Sequence, residues 1–179
     1  VQLARGRLAL RMKDAAVAAA ILEPVARADL SLVTAWAHLS IAWRMLEDGR
    51  ADWLCSQPGL VSLQDLPIAP DELAELARAL RGLHRTRSHP IGQSLRGGTQ
   101  TRGRLLDRQE PIVQHLGRML VAAIANHIRG LPAIDAKHPL LRHRHDSLKL
   151  GGCWSVRLSR GGFHVNHIHP QGVLSSACY

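Results

Sequence analysis

The chain has 179 residues, 46% of them hydrophobic, with a formal net charge of +9. That length allows one to two small domains and that apolar content a packed core, which excludes disorder as a whole. The charge invites a nucleic-acid partner, but the basic residues are nearly all arginines scattered along the chain, lysine standing only at 13, 137 and 149, and aromatics make up 3%, so platforms for stacked bases are few and nucleic acid is set aside.

No apolar run approaches the roughly 20 residues needed to cross a bilayer, so no membrane partner is expected. The chain starts without a basic, apolar, small-residue leader pattern. Cys55, Cys153 and Cys178 are far apart and form no CxxC spacing, which argues against a disulfide framework or a zinc knuckle and for a reduced, cytoplasmic setting.

In chain order, Gln2 to Met12 reads as a short helix and Asp14 to Arg27 as a second, rich in small residues that allow close packing, with Pro24 as a point of bending. Asp29 and Ser31 are candidate caps for a third helix, in which Leu32, Trp36, Leu39, Trp43 and Leu46 form one apolar stripe. Asp48-Gly49 ends it. The turn at Lys13-Asp14 is echoed by Gly49 to Trp53, near the roughly 34-residue tetratricopeptide period. Residues 1–56 therefore read as a tetratricopeptide-like helical region.

Residues 57–70 contain Pro58-Gly59, Pro67 and Pro70 and read as a linker. Pro70 suits a first helical turn, followed by Asp71 and Glu72 where the helix dipole favours acids, and Leu73, Leu76, Ala77, Leu80 and Leu83 form the apolar face. His84 to Arg108 is glycine-punctuated loop or strand. In it the pair after Arg96 lets backbone approach an anion, or simply turns the chain into a strand at Thr99-Gln100-Thr101. A long helix is predicted from Asp107, which with Glu110 looks like a capping box. His143, His145 and Asp146 read as a solvated loop rather than as metal ligands, because arginines interleave them. Leu148, Leu150, Trp154, Val156 and Leu158 share one parity across Gly151-Gly152, as strand, turn and strand would, and Leu174 to Tyr179 starts another strand.

The densest chemistry lies between Trp154 and Tyr179. If Phe163 to His169 is extended, His167 and His169 share one face while His164 and Asn166 take the other, so a metal would choose the 167/169 pair. Pro170, Gln171 and Gly172 end the strand beside a loop, where an open coordination position can face substrate.

Two blocks carry a family resemblance: Gln93 to Thr101 (QSLRGGTQT), and Trp154-Ser155-Val156-Arg157-Leu158 with Gly161-Gly162-Phe163-His164, His167-Ile168-His169-Pro170 and Leu174-Ser175-Ser176. Together they resemble the 2-oxoglutarate and Fe(II)-dependent oxygenases that often carry tetratricopeptide repeats, over everything from about Arg81 onward. The resemblance implies an α+β protein: tetratricopeptide-like helices, then, in 71–179, the N-terminal part of a double-stranded β-helix of jelly-roll or cupin-like type, buttressed by the long helix. It implies a dioxygenase using Fe(II) and 2-oxoglutarate to hydroxylate a substrate of open identity, protein or peptide included. His167 and His169 are the metal candidates, and Arg96 and Tyr179 candidates for holding the cosubstrate.

His169 stands where the wider superfamily has a carboxylate, two residues after the first histidine. The third ligand and the basic group for 2-oxoglutarate are expected beyond Tyr179, so the chain reads as a truncated member. Two alternatives stay open: a cupin-like metalloprotein without 2-oxoglutarate, and a non-catalytic tetratricopeptide-type interaction module. The oligomeric state is not legible.

Overall fold

The computed structural model describes residues 1–86 and 88–179. The protein is α+β, with helices α1 (Gln2–Arg11), α2 (Ala15–Ala28), α3 (Val33–Met45), α4 (Arg50–Cys55), α5 (Pro70–Leu83) and α6 (Pro111–Gly130), and strands β1 (Leu95–Gln100) and β2 (Val156–His164). It divides into two compact units. The first is Val1–Ser62 with His127–Ser147 and Ile168–Tyr179; the second is Leu63–Asn126 with Leu148–His167.

In the first unit, α1 to α4 pack around Leu22, Leu39 and Trp43, all fully buried, with Ala18, Ala26, Ala35 and Ala42 between them. Small residues set the helix spacing: a Cβ at Gly6 would lie 2.5 Å from Leu22, so only glycine lets α1 approach α2 this closely. The Asp14 carboxylate accepts the Val17 N–H at 3.0 Å and so caps α2, which continues through Pro24 to Ala28. The apolar stripe of α3 is buried at Trp36, Leu39 and Trp43, whereas Leu46 lies beyond the helix and is exposed.

The turn between α1 and α2 is repeated 34 residues later. Met12, Lys13 and Asp14 donate their N–H groups to Leu8, Leu10 and Ala9 at 3.0, 3.0 and 2.9 Å; Leu46, Glu47 and Asp48 donate to Ala42, Arg44 and Trp43 at 3.1, 3.2 and 2.9 Å. Lys13 and Glu47 occupy the left-handed region, with φ of 62° and 54°. Non-glycine residues rarely adopt it, so two occurrences at equivalent positions mark one turn geometry used twice. The second turn is reinforced by Arg50, whose guanidinium binds Asp48 and Glu23 and lies 4.8 Å from the Trp43 ring centre. These hydrogen bonds hold the Asp48 carboxyl down at about 2.

Residues 135–141 return to α4 through a buried imidazole. Nδ1 of His138 accepts the N–H groups of Leu140 and Leu141, both at 3.1 Å, so Nε2 carries the proton and donates to the Leu54 carbonyl at 3.1 Å. The ring meets Trp53 edge-on at 5.0 Å, and the Trp53 N–H donates to Asp135 at 3.0 Å. Burial pushes the His138 pKa down, opposed by the Leu54 hydrogen bond and the Asp135 charge.

In the second unit, Pro70 opens α5 and Glu72 accepts the Ala69 N–H at 3.1 Å. Leu76 of α5 packs with Leu116 and Met119 of α6, flanked by Leu66, Ile68, Leu80, Ile112 and Leu120, while Leu73 is exposed. Thus 57–70 is not simply a tether, since Leu66 and Ile68 belong to this core. The expected capping box of α6 is absent. Asp107 lies in a 3₁₀ turn, Leu105–Asp107, Glu110 pairs with Arg108, and the helix starts at Pro111. Proline at that point needs no N–H partner and sets the start of the helix.

β1 and β2 pair antiparallel, with Leu95 opposite His164, Arg96 opposite Phe163, and Gly98, Thr99 and Gln100 opposite Leu158, Arg157 and Val156. The register shifts between Arg96 and Gly98, where Ser159 to Gly162 bulge out opposite Gly97. Glycine is required there: a Cβ at Gly162 would lie 1.9 Å from the Gly97 carbonyl oxygen, and one at Gly98 2.5 Å from that of Arg157.

Strand extents differ from expectation. β2 stops at His164, with a bend at Asn166, because β1 offers no partner beyond Leu95; the Val165 N–H makes a last bond to Ser94 at 2.9 Å. Leu148 to Trp154 is not a strand, and neither is Leu174 to Tyr179, which is largely exposed. Shared parity produces a strand only where a ladder exists to receive it.

Leu39→Ala is expected to lower stability by about 2–5 kcal/mol in chemical denaturation, from lost burial and the cavity left behind. Because the folded His138 pKa lies below its ordinary value near 6.5, its contribution is complete above about pH 6.5 and is lost as pH falls through the folded value. The melting temperature of the wild type should therefore drop between about pH 7.5 and 5.5, and more steeply than that of His138→Gln.

Candidate histidine site at the end of the ribbon

Three of the histidines singled out in the sequence fall within six residues at the end of the ribbon, and the bend at Asn166 decides which of them meet. His164 lies at the last ladder position, its Nδ1 2.9 Å from the Ser94 hydroxyl. His167 turns back toward it, so that the two rings stand 5.8 Å apart at 32°. The extended run that would have placed His164 on the face opposite His167 is therefore interrupted.

His167 Nδ1 lies 2.9 Å from the Val165 carbonyl oxygen. A carbonyl only accepts, so Nδ1 carries the proton and the lone pair of the neutral ring is on Nε2. This backbone-fixed tautomer is the form in which histidines bind metals. His169 is half-buried in the first unit, at a turn in which its carbonyl accepts the Gly172 N–H at 3.3 Å.

Among the described residues no group of three or more His, Cys, Asp or Glu side chains is placed to hold a metal. A lone imidazole donor such as His167 does not select among Zn, Cu, Fe and Ni. A complete sphere would need donors besides the two predicted imidazoles.

Of the cosubstrate candidates, the Arg96 guanidinium donates to the carbonyls of Gln93 and Leu95 at 2.6 and 2.8 Å. It anchors its own segment. Tyr179 is fully exposed at the last position. His143, the last residue of the short 3₁₀ turn Leu141–His143, pairs with Asp146 at 2.7 Å.

Two features were not singled out in the sequence. His84, just past α5, has Nδ1 2.8 Å from the Thr99 hydroxyl and Nε2 3.1 Å from that of Ser155, bracing both arms of the ribbon. Burial, with the Arg157 charge second, pushes its pKa down and favours the neutral ring. Ser155 and Thr101 add a reciprocal pair, Thr101 N–H to the Ser155 carbonyl and Ser155 N–H to the Thr101 hydroxyl, both at 3.0 Å. Beyond the end of β1 lies a cavity of about 430 Å³, lined among others by Thr86, His89, Gln93, Gln100 and Arg102 and, among the described residues, by no carboxylate. The polar residues of 84–102 were visible, but their convergence required the ladder.

Searches of protein-family models, of curated proteins and of solved structures each return no match to this chain.

Proposed function

We propose that the chain is part of a 2-oxoglutarate and Fe(II)-dependent oxygenase, with a tetratricopeptide-like N-terminal region and the start of a jelly-roll domain. The observation that carries this reading is the pairing of β1 with β2. The two blocks that bear the family resemblance lie far apart in sequence, and they are hydrogen-bonded neighbours, Arg96 facing Phe163 across the ladder.

His167 and His169 would hold the metal, and the Val165 carbonyl orients the His167 ring for it. When bound, iron with 2-oxoglutarate and O2 would supply the oxidising chemistry, one oxygen atom going to the succinate left by decarboxylation of the cosubstrate and the other to the hydroxylated C–H bond. The chain's own contribution is position: the Gly97–Gly162 approach holds the ribbon, and His84 braces it from α5.

The repetition of one turn geometry at a 34-residue interval supports the tetratricopeptide-like reading of α1 to α4. It also favours a second reading, in which these helices serve as a peptide-binding module without catalysis.

Anaerobic titration with Fe(II), with and without 2-oxoglutarate, of the chain extended past Tyr179 to take in the third ligand and the basic group expected there separates the readings. The oxygenase reading expects a visible iron-to-2-oxoglutarate charge-transfer band that needs both additives and is lost in His167→Ala and in His169→Ala. Iron binding without the band moves the assignment to a cupin-like metalloprotein, and no iron binding leaves the interaction module.

A further inference from the structure

Acidic residues are unevenly distributed. No Asp or Glu occurs from Leu76 to Leu106, nor from Ser147 to Tyr179. The first stretch contains β1 and the second β2, so the ladder merges two acid-free segments into one ribbon.

Its cations are Arg96, Arg157 and Arg160, all exposed. Among the described residues none of the three has an ion-pair partner, whereas in the first unit Arg27 and Arg50 are matched by Glu23 and Asp48. The cavity just beyond Gln100, with no carboxylate among its described lining residues, adds the Arg102 charge nearby.

Phe163 is the chain's one phenylalanine, and it is 55% exposed directly opposite Arg96. Side chains paired across an antiparallel ladder lie side by side on one face. An aromatic ring left in water gains nothing for the fold, but on a ribbon that carries arginines it makes a stacking platform with phosphate contacts within reach. A single stacked base needs only one such ring, so the low aromatic content does not weigh against it. The bulge at Ser159 to Gly162 interrupts the ribbon that a duplex groove would require, and a ring can stack only on a base whose face is unpaired.

We propose that the β1–β2 ribbon binds single-stranded nucleic acid, Phe163 stacking on a base while Arg96, Arg157 and Arg160 neutralise adjacent phosphates. This goes beyond the oxygenase reading and does not depend on it.

The test is fluorescence anisotropy of a labelled oligothymidylate of about ten nucleotides, with EDTA present throughout so that iron plays no part. Binding should weaken with salt with a log–log slope of about −2, at about 0.7 per phosphate contact. Arg157→Gln with Arg160→Gln should flatten that slope by about 1.4, and Arg157→Lys with Arg160→Lys should preserve it. Phe163→Leu should cost about tenfold in affinity with the slope unchanged. The proposal is overturned by absence of binding at low salt, by a heparin fragment binding as tightly while Phe163→Leu has no effect, or by binding only to phosphatidylserine vesicles.

Discussion

The second unit depends on how closely two backbones approach at Gly97 and Gly162. With 1.9 Å between a hypothetical Cβ and a carbonyl oxygen, no side chain fits at position 162 without opening the ladder. The positions of Arg96, Phe163, His164 and the His84 brace all follow from the register these glycines permit. Ser94 reaches His164 because Leu95 pairs with His164 at the end of the ladder, and that ending also allows the bend that turns His167 back.

The first unit has a different basis. Small residues set helix spacing, and a left-handed residue ends the first helix of each pair. Neither Lys13 nor Glu47 has a side chain suited to that conformation. The conformation persists because the hydrogen bonds from Asp14 to Ala9 and from Asp48 to Trp43 can form only across such a turn. The His138 imidazole does comparable work for residues 135–141, satisfying three backbone groups with one ring.

Helices were legible in the sequence because their signals are local. Asp14 as a cap, Pro70 at a first turn and the Leu116–Met119 face of α6 each act within a few residues of themselves. The capping box at Asp107 failed for a local reason too, since Arg108 claims Glu110 and Pro111 sets the start. Strands were less legible. Alternation around Trp154 and after Leu174 is real, yet a strand exists only where another segment supplies its hydrogen bonds. For the candidate site, the histidines were visible as residue types, but the bend that brings His164 to His167 follows from where β1 runs out. The buried role of His138 had no sequence signal beyond its place before a proline.

The ribbon also has a consequence for the order in which the chain acquires structure. Between Gln100 and Val156 lie α6 and two 3₁₀ turns, and closing a loop of that length costs about 3.5 kcal/mol of chain entropy before any ladder bond is made. The helix hairpins of the first unit close over short turns and so form fast, whereas the ladder is a late event. During synthesis β1 leaves the ribosome well before its partner exists, as an unpaired edge rich in glycine and arginine. Its positive charge and lack of a long apolar run keep that edge from pairing with other chains while it waits.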